Sequence, residues 1–130
     1  ILIPKSVGLC DVATFKNCVN LTSIVFEDGG DVPLYVGGDL WLENTQVTIL
    51  VLPFKTYRIR GYWRRGSNLN TLYVKSTIPP ILEHGWGDNP DTCDLYVPIG
   101  CKEVYASATN WGSFRTITEY DFDLNPNNVH

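Results

Sequence analysis

The sequence has no methionine and only two histidines, and its four cysteines follow no metal-ligand pattern. With so little histidine, the usual general bases are scarce. His84 lies between Glu83 and Gly85, and His130 is the last residue. A thiol–imidazole pair of His84 with Cys93 would need an activating environment that nothing in the sequence supplies. No catalytic residue is assigned, and the expectation is a protein that is not an enzyme. Cys10 and Cys18 stand eight residues apart, as do Cys93 and Cys101, which matches no zinc spacing. The expected role of the cysteines is that of small buried apolar groups, with disulfides open if the protein is exported.

Long hydrophobic runs are also missing. The longest, Val47 to Phe54, is broken by Thr48 and Pro53 and falls well short of the roughly 18 residues of a membrane-spanning helix. Ile1-Leu2-Ile3-Pro4 lacks the basic segment and long apolar stretch of a signal peptide. Together with the absent methionine, this leads us to expect a mature or excised piece of a longer chain. Positive charge is short as well. The net charge of −4 argues against nucleic acid, whose phosphates need a basic face.

What the chain does have is a repeat. Its 130 residues suffice for one domain that buries roughly two thirds of its unfolded surface. Four segments read apolar-x-x-apolar-x-apolar: Leu21 to Phe26, Val47 to Leu52, Leu69 to Val74, and Thr92 to Val97, where Thr92 replaces the leading aliphatic. Taking Ile24, Leu50, Leu72 and Leu95 as equivalent, the spacings are 50 − 24 = 26, 72 − 50 = 22 and 95 − 72 = 23. All lie in the leucine-rich-repeat range. Alternation then directs Ile24 and Phe26, Leu50 and Leu52, Leu72 and Val74, and Leu95 and Val97 inward. A single repeat cannot bury that face, so the repeats are expected to stack into a parallel sheet with irregular crossings opposite. Gly29-Gly30-Asp31 and Gly37-Gly38-Asp39 mark turns but lack the frame of calcium-binding β-rolls.

Two stretches carry a family likeness. Phe15-Lys16-Asn17-Cys18-Val19-Asn20-Leu21-Thr22-Ser23-Ile24 resembles the F-x-N-C-x-x-L-T-S-I signature of BspA-like leucine-rich-repeat proteins, with a looser copy from Trp63 to Leu72. Ile3-Pro4 and Leu52-Pro53 are similar to the family's "IP" step. Leu95-Tyr96-Val97-Pro98-Ile99-Gly100, followed by Tyr105, Trp111, Phe114, Ile117 and Glu119, resembles the segment that closes such solenoids. Residues 29–46 depart from the pattern, since Leu42-Glu43-Asn44-Thr45 only faintly matches F-x-N-C. The basic stretch from Tyr57 to Arg65 is a second departure.

The resemblance implies a leucine-rich-repeat solenoid over residues 1–97 and a cap over 98–130. In that cap Pro98 ends the ladder, and a short helix near Lys102 to Thr109 directs Val104, Tyr105 and Ala108 to one face. It also implies an extracellular or cell-surface recognition module for protein or glycan, with a signal or anchor upstream. The alternatives are a structural capping block of a larger exported protein, or an accessory or inhibitor domain.

Two candidate surfaces follow. Val25, Val51, Tyr73 and Tyr96 share an outward register, with Ser23, Ile49, Thr71 and Asp94 beside them. They would form a stripe rich in tyrosine, a residue suited to binding but equally suited to ordinary strand packing. The second is the basic run of Lys55, Arg58, Arg60, Arg64 and Arg65 with Tyr57, Tyr62 and Trp63. It fits a sulfated glycan or an acidic partner, or else a solvated crossing paired with nearby acids. Asp88-Asn89-Pro90-Asp91 with Asp94 reads as a turn rather than a calcium loop. Asn20-Leu21-Thr22 is a formal glycosylation sequon, but Leu21 belongs to the expected core. No metal or other cofactor is expected. Replacing Arg58, Arg60, Arg64 and Arg65 together and measuring heparin retention tests the basic run, and unchanged retention removes it as a site.

Overall fold

A computed structural model describes residues 1–10, 15, 17–29, 33–36, 42–60, 68–83 and 90–123, with backbone alone for Leu9 and Cys10. Each repeat core becomes a strand because its alternate side chains leave water together. In chain order the strands are β1 (Leu2–Ile3), β2 (Leu9–Cys10), β3 (Ser23–Phe26), β4 (Leu34–Val36), β5 (Ile49–Leu52), β6 (Thr56–Arg60), β7 (Thr71–Val74), β8 (Ile81–Glu83), β9 (Asp94–Pro98) and β10 (Thr116–Tyr120). One helix, α1 (Lys102–Ser107), lies between the last two.

The strands form two sheets. The larger has the order β1-β3-β5-β7-β9-β10 and the smaller β2-β4-β6-β8, with every pairing parallel. The chain alternates between them, one strand in each per turn, for four turns before β9. It is a parallel β-solenoid. This corrects the expectation of irregular crossings, because a second parallel sheet lies opposite the first. Its strands are hard to read from sequence since each buries little. The inward groups are Leu34 and Val36 in β4, Thr56 and Ile59 in β6, and Leu82 in β8. Tyr35, Tyr57, Arg58, Arg60, Ile81 and Glu83 take the outward places.

Register in the larger sheet follows the repeat. Ile24 lies opposite Leu50, Leu50 opposite Leu72, and Leu72 opposite Leu95. All four are fully buried, as are Leu52, Val74 and Val97, and Phe26 is nearly so. Between the sheets they join Leu34, Val36, Leu42, Val47, Ile59 and Leu69 in one core.

The segment that departs from the sequence pattern nevertheless keeps its geometry. Asn17 and Asn44 both adopt left-handed backbone, at φ 66° and 59°. Asparagine tolerates this conformation better than most residues. The Asn44 side-chain amide donates to Asn17 Oδ1 at 3.0 Å, and the Asn17 backbone N–H donates to the Glu43 carbonyl at 3.0 Å. The turn through Leu42-Glu43-Asn44-Thr45 is thus the structural counterpart of that at Phe15, Asn17 and Cys18. Thr45 is buried, its hydroxyl donating to the Leu42 carbonyl at 2.8 Å and accepting from the Val47 N–H at 3.3 Å. Cys18, expected to be buried, is exposed, whereas Cys93 and Cys101 are buried. No disulfide joins these three.

The C-terminal segment seals the end of the coil. Gly100, at φ +86°, turns the chain from β9 into α1. Tyr105, Trp111 and Phe114 are buried, with Ile117 and Ala108 packed on the same core. Val104, expected on that face, is instead 44% exposed. Three side chains then take up carbonyls around β8, the end strand of the smaller sheet. The Tyr105 hydroxyl donates to Ser76 at 2.6 Å, Trp111 Nε1 to Pro80 at 2.9 Å and the Asn110 amide to Leu82 at 3.2 Å. A β-carbon on Gly112 would stand 2.6 Å from the Ala106 carbonyl oxygen, so this close passage requires glycine.

The ladders of β9 run no further than Pro98, but the sheet does not end with β9. The β7–β9 pairing stops at Tyr96, but β10 pairs with β9 as far as Tyr120 opposite Pro98. The stretch expected to be purely a cap therefore supplies the sixth strand. Truncating Leu72 to Ala should lower stability by about 2–5 kcal/mol through lost burial and a cavity, whereas Val104→Ala should change it by under about 0.5 kcal/mol; urea denaturation of both variants checks the contrast.

Candidate functional site

The outward stripe exists as a register but not as an open surface. Val25 lies opposite Val51, Val51 opposite Tyr73, and Tyr73 opposite Tyr96. Val51 was expected to be exposed and is fully buried. It is flanked in the row by Val25 and Tyr73. Tyr73 and Tyr96 stack with ring centroids 4.6 Å apart. Tyr120 meets both edge-on, at 5.5 and 6.0 Å. Phe122 follows, 5.0 Å from Tyr120 and 6.3 Å from Tyr73. Burial, with Tyr96 and Tyr120 close by, pushes the Tyr73 hydroxyl above its ordinary pKa.

The rings come together because β10 is pinned to β9. Arg115 Nε donates to Asp94 Oδ1 at 2.8 Å and its Nη2 to Oδ2 at 2.9 Å, a two-pronged contact matched to the carboxylate's shape. The Thr116 hydroxyl adds a bond to Oδ1 at 2.8 Å. The Arg115 guanidinium and that hydroxyl hold Asp94 below the usual carboxylate range against some desolvation. Asp94 thus ties β10 to β9. Glu119, on the same strand, accepts the Lys102 N–H at the start of α1 at 3.2 Å.

Past Tyr120 the chain turns back over the sheet and closes one side of a groove of about 1050 Å³. Every rung of the larger sheet contributes to it. Leu2, Val25, Phe54, Thr77, Ile99 and Phe122 represent the successive rungs, the last four from just beyond the strand ends. Its charged side chains are Glu27, Asp28, Asp121, Asp123 and Lys75. The Lys75 ammonium stands 3.9 Å from Asp28 Oδ2 and 5.9 Å from the centre of the Phe122 ring, so it joins the two walls. Asp28 Oδ1 accepts the Phe54 N–H at 2.9 Å, and Glu27 accepts the Lys5 N–H at 3.1 Å.

The basic run lies on the other sheet. Arg58 pairs with Glu83 of β8, and its guanidinium carbon is 5.5 Å from the centre of the Tyr35 ring. Arg60 is exposed, opposite Glu83 in register. Tyr57 is exposed, 6.3 Å from Tyr35. Arg58, at least, is committed to the neighbour-paired arrangement. Trp63, Arg64 and Arg65 lie outside the described residues, as do His84, His130, Asp88 and Asn89. Among the described residues no group of three or more histidine, cysteine, aspartate or glutamate side chains is arranged to hold a metal ion. No described helix is long and apolar enough to cross a membrane.

Sequence reasoning placed Val25, Tyr73 and Tyr96 correctly in one row but missed Tyr120, Phe122, Lys75 and the acidic rim. The period held a usable signal. Ile117 lies 117 − 95 = 22 residues after Leu95 and is its register partner, which would have made Thr116 to Tyr120 a strand.

Together these features define a parallel β-solenoid repeat protein with a C-terminal helical cap and a groove across its larger sheet. No protein-family model and no curated protein matches the sequence.

Asp94 carries a pH signature. Its folded-state pKa lies below its unfolded value of about 3.9, so its contribution is fully present above that value. The contribution is lost as pH falls through the folded value. Denaturation of the native chain and of Asp94→Asn should differ at neutral pH, with the native chain the more stable, and the gap should close below about pH 4.

Proposed function

We propose that this chain is a recognition module of the BspA-like leucine-rich-repeat kind, working outside the cell or at its surface, that binds a protein or glycan along its repeat surface. The family reading rests on the Phe15 to Ile24 signature and on the closing segment from Leu95 to Glu119. The function rests on one observation, the groove lined by all six rungs of the larger sheet, with aromatic rings at one end. Such a cleft offers apolar area and convergent polar groups together. The role proposed is binding, with no catalytic residue assigned.

One observation favours a second reading, that of a structural block terminating a longer repeat protein. Tyr105, Asn110 and Trp111 occupy the carbonyls around β8, which is what the end of a coil needs.

Screening the immobilised chain against matrix proteins and glycans at high micromolar concentration separates the two. A recognition module should retain a ligand, and Phe122→Ala should weaken that binding by about 10- to 100-fold, as loss of an aromatic anchor does. No retained ligand would leave the capping role.

A further inference from the structure

The groove has a charge its apolar lining does not need. Four of its side chains are carboxylates, from Glu27, Asp28, Asp121 and Asp123, and one is an ammonium, from Lys75. They fall in two pairs, one just after β3 and one after β10. Between them lie Phe54, Ile99 and Phe122, and Tyr120 adds its ring at the same end. An aromatic face attracts a cation through its ring electrons, and a carboxylate attracts it directly. Side by side they select for lysine and arginine.

The protein already contains one instance of this contact. Lys75 places its ammonium between Asp28 and the Phe122 ring. A second cation, brought by a ligand, would meet Asp121 and Asp123, which flank Phe122 in the chain and line the same groove.

The groove's shape adds to this. Six strands about 4.8 Å apart span about 24 Å, the length of an extended segment of about seven residues. Alternation in such a segment would turn every second side chain toward the apolar lining and leave the others for the rim. We infer that the groove takes an extended, basic segment of a partner protein, with lysine or arginine at the acidic walls and aliphatic side chains between. This rests on the groove reading above and gives it a partner.

The test uses the full chain and a labelled peptide of about seven residues in which lysine alternates with leucine and serine. Sister peptides carry glutamine or glutamate at the lysine positions. The basic peptide should bind saturably, and raising salt from about 0.05 to about 0.5 M should weaken it roughly tenfold. The double variant Glu27→Lys, Asp123→Lys should weaken it by at least about tenfold. Glu103→Lys, on the exposed side of α1, should leave it unchanged once near-ultraviolet dichroism shows all variants folded.

Equal binding of the glutamine or glutamate peptide would overturn the inference. So would a loss with Glu103→Lys equal to that of the double variant, which would mean diffuse attraction. If a ligand from the screen loses affinity on Phe122→Ala while no basic peptide binds, the basic partner is wrong and the groove reading stands. If Phe122→Ala changes the binding of no ligand, both are wrong.

Discussion

Every other feature depends on parallel pairing repeated at a nearly constant interval. A strand that must lie beside its predecessor in the same direction has to be carried back to the same end of the sheet. Here the return takes 22 to 26 residues, and each return puts an aliphatic residue opposite the previous one, from Ile24 through Leu50 and Leu72 to Leu95. Because side chains alternate, fixing that row also fixes the outward row. Tyr73 stacks on Tyr96 because Leu72 meets Leu95. The core determines the surface, one residue out of phase.

Four strands of the larger sheet (β3, β5, β7 and β9) were legible because their apolar pattern recurs, whereas β10 lies in the stretch expected to be a cap. The smaller sheet was not. Its β6 runs through a stretch whose charges suggest a solvated loop, yet Ile59 is fully buried and Thr56 nearly so, while Arg58 and Arg60 stay on the outside. The register shifts opposite Leu34 and Tyr35, where β6 carries the extra residue Tyr57, and this further spoils the alternation that a reader of the sequence would seek. The turn at Leu42 to Thr45 hid for another reason. What it shares with Phe15 to Cys18 is a backbone conformation and an asparagine, and little else in residue type.

The site was half legible. A strand's register predicts which side chains share a face, and it placed Val25, Tyr73 and Tyr96 in one row. It says nothing of what later folds over that face. Tyr73 is met there by Tyr120 and Phe122, and Val51, in the same row, is fully buried. The acidic rim was invisible because its members lie far apart in sequence, at 27–28 and at 121–123, and meet only across the groove. The groove and the basic run lie on different sheets, so the two surfaces picked out from sequence do not converge on one ligand.

The cap has a consequence for the turn before it. Its three acceptors, the carbonyls of Ser76, Pro80 and Leu82, lie 28 to 31 residues before the side chains that bind them. Each of these bonds therefore closes a loop of 28 to 31 residues, a little longer than the interval between rungs. The seating of the last turn is thus tied to the register of the turn before it, since a shift there would move all three acceptors away from the side chains that bind them.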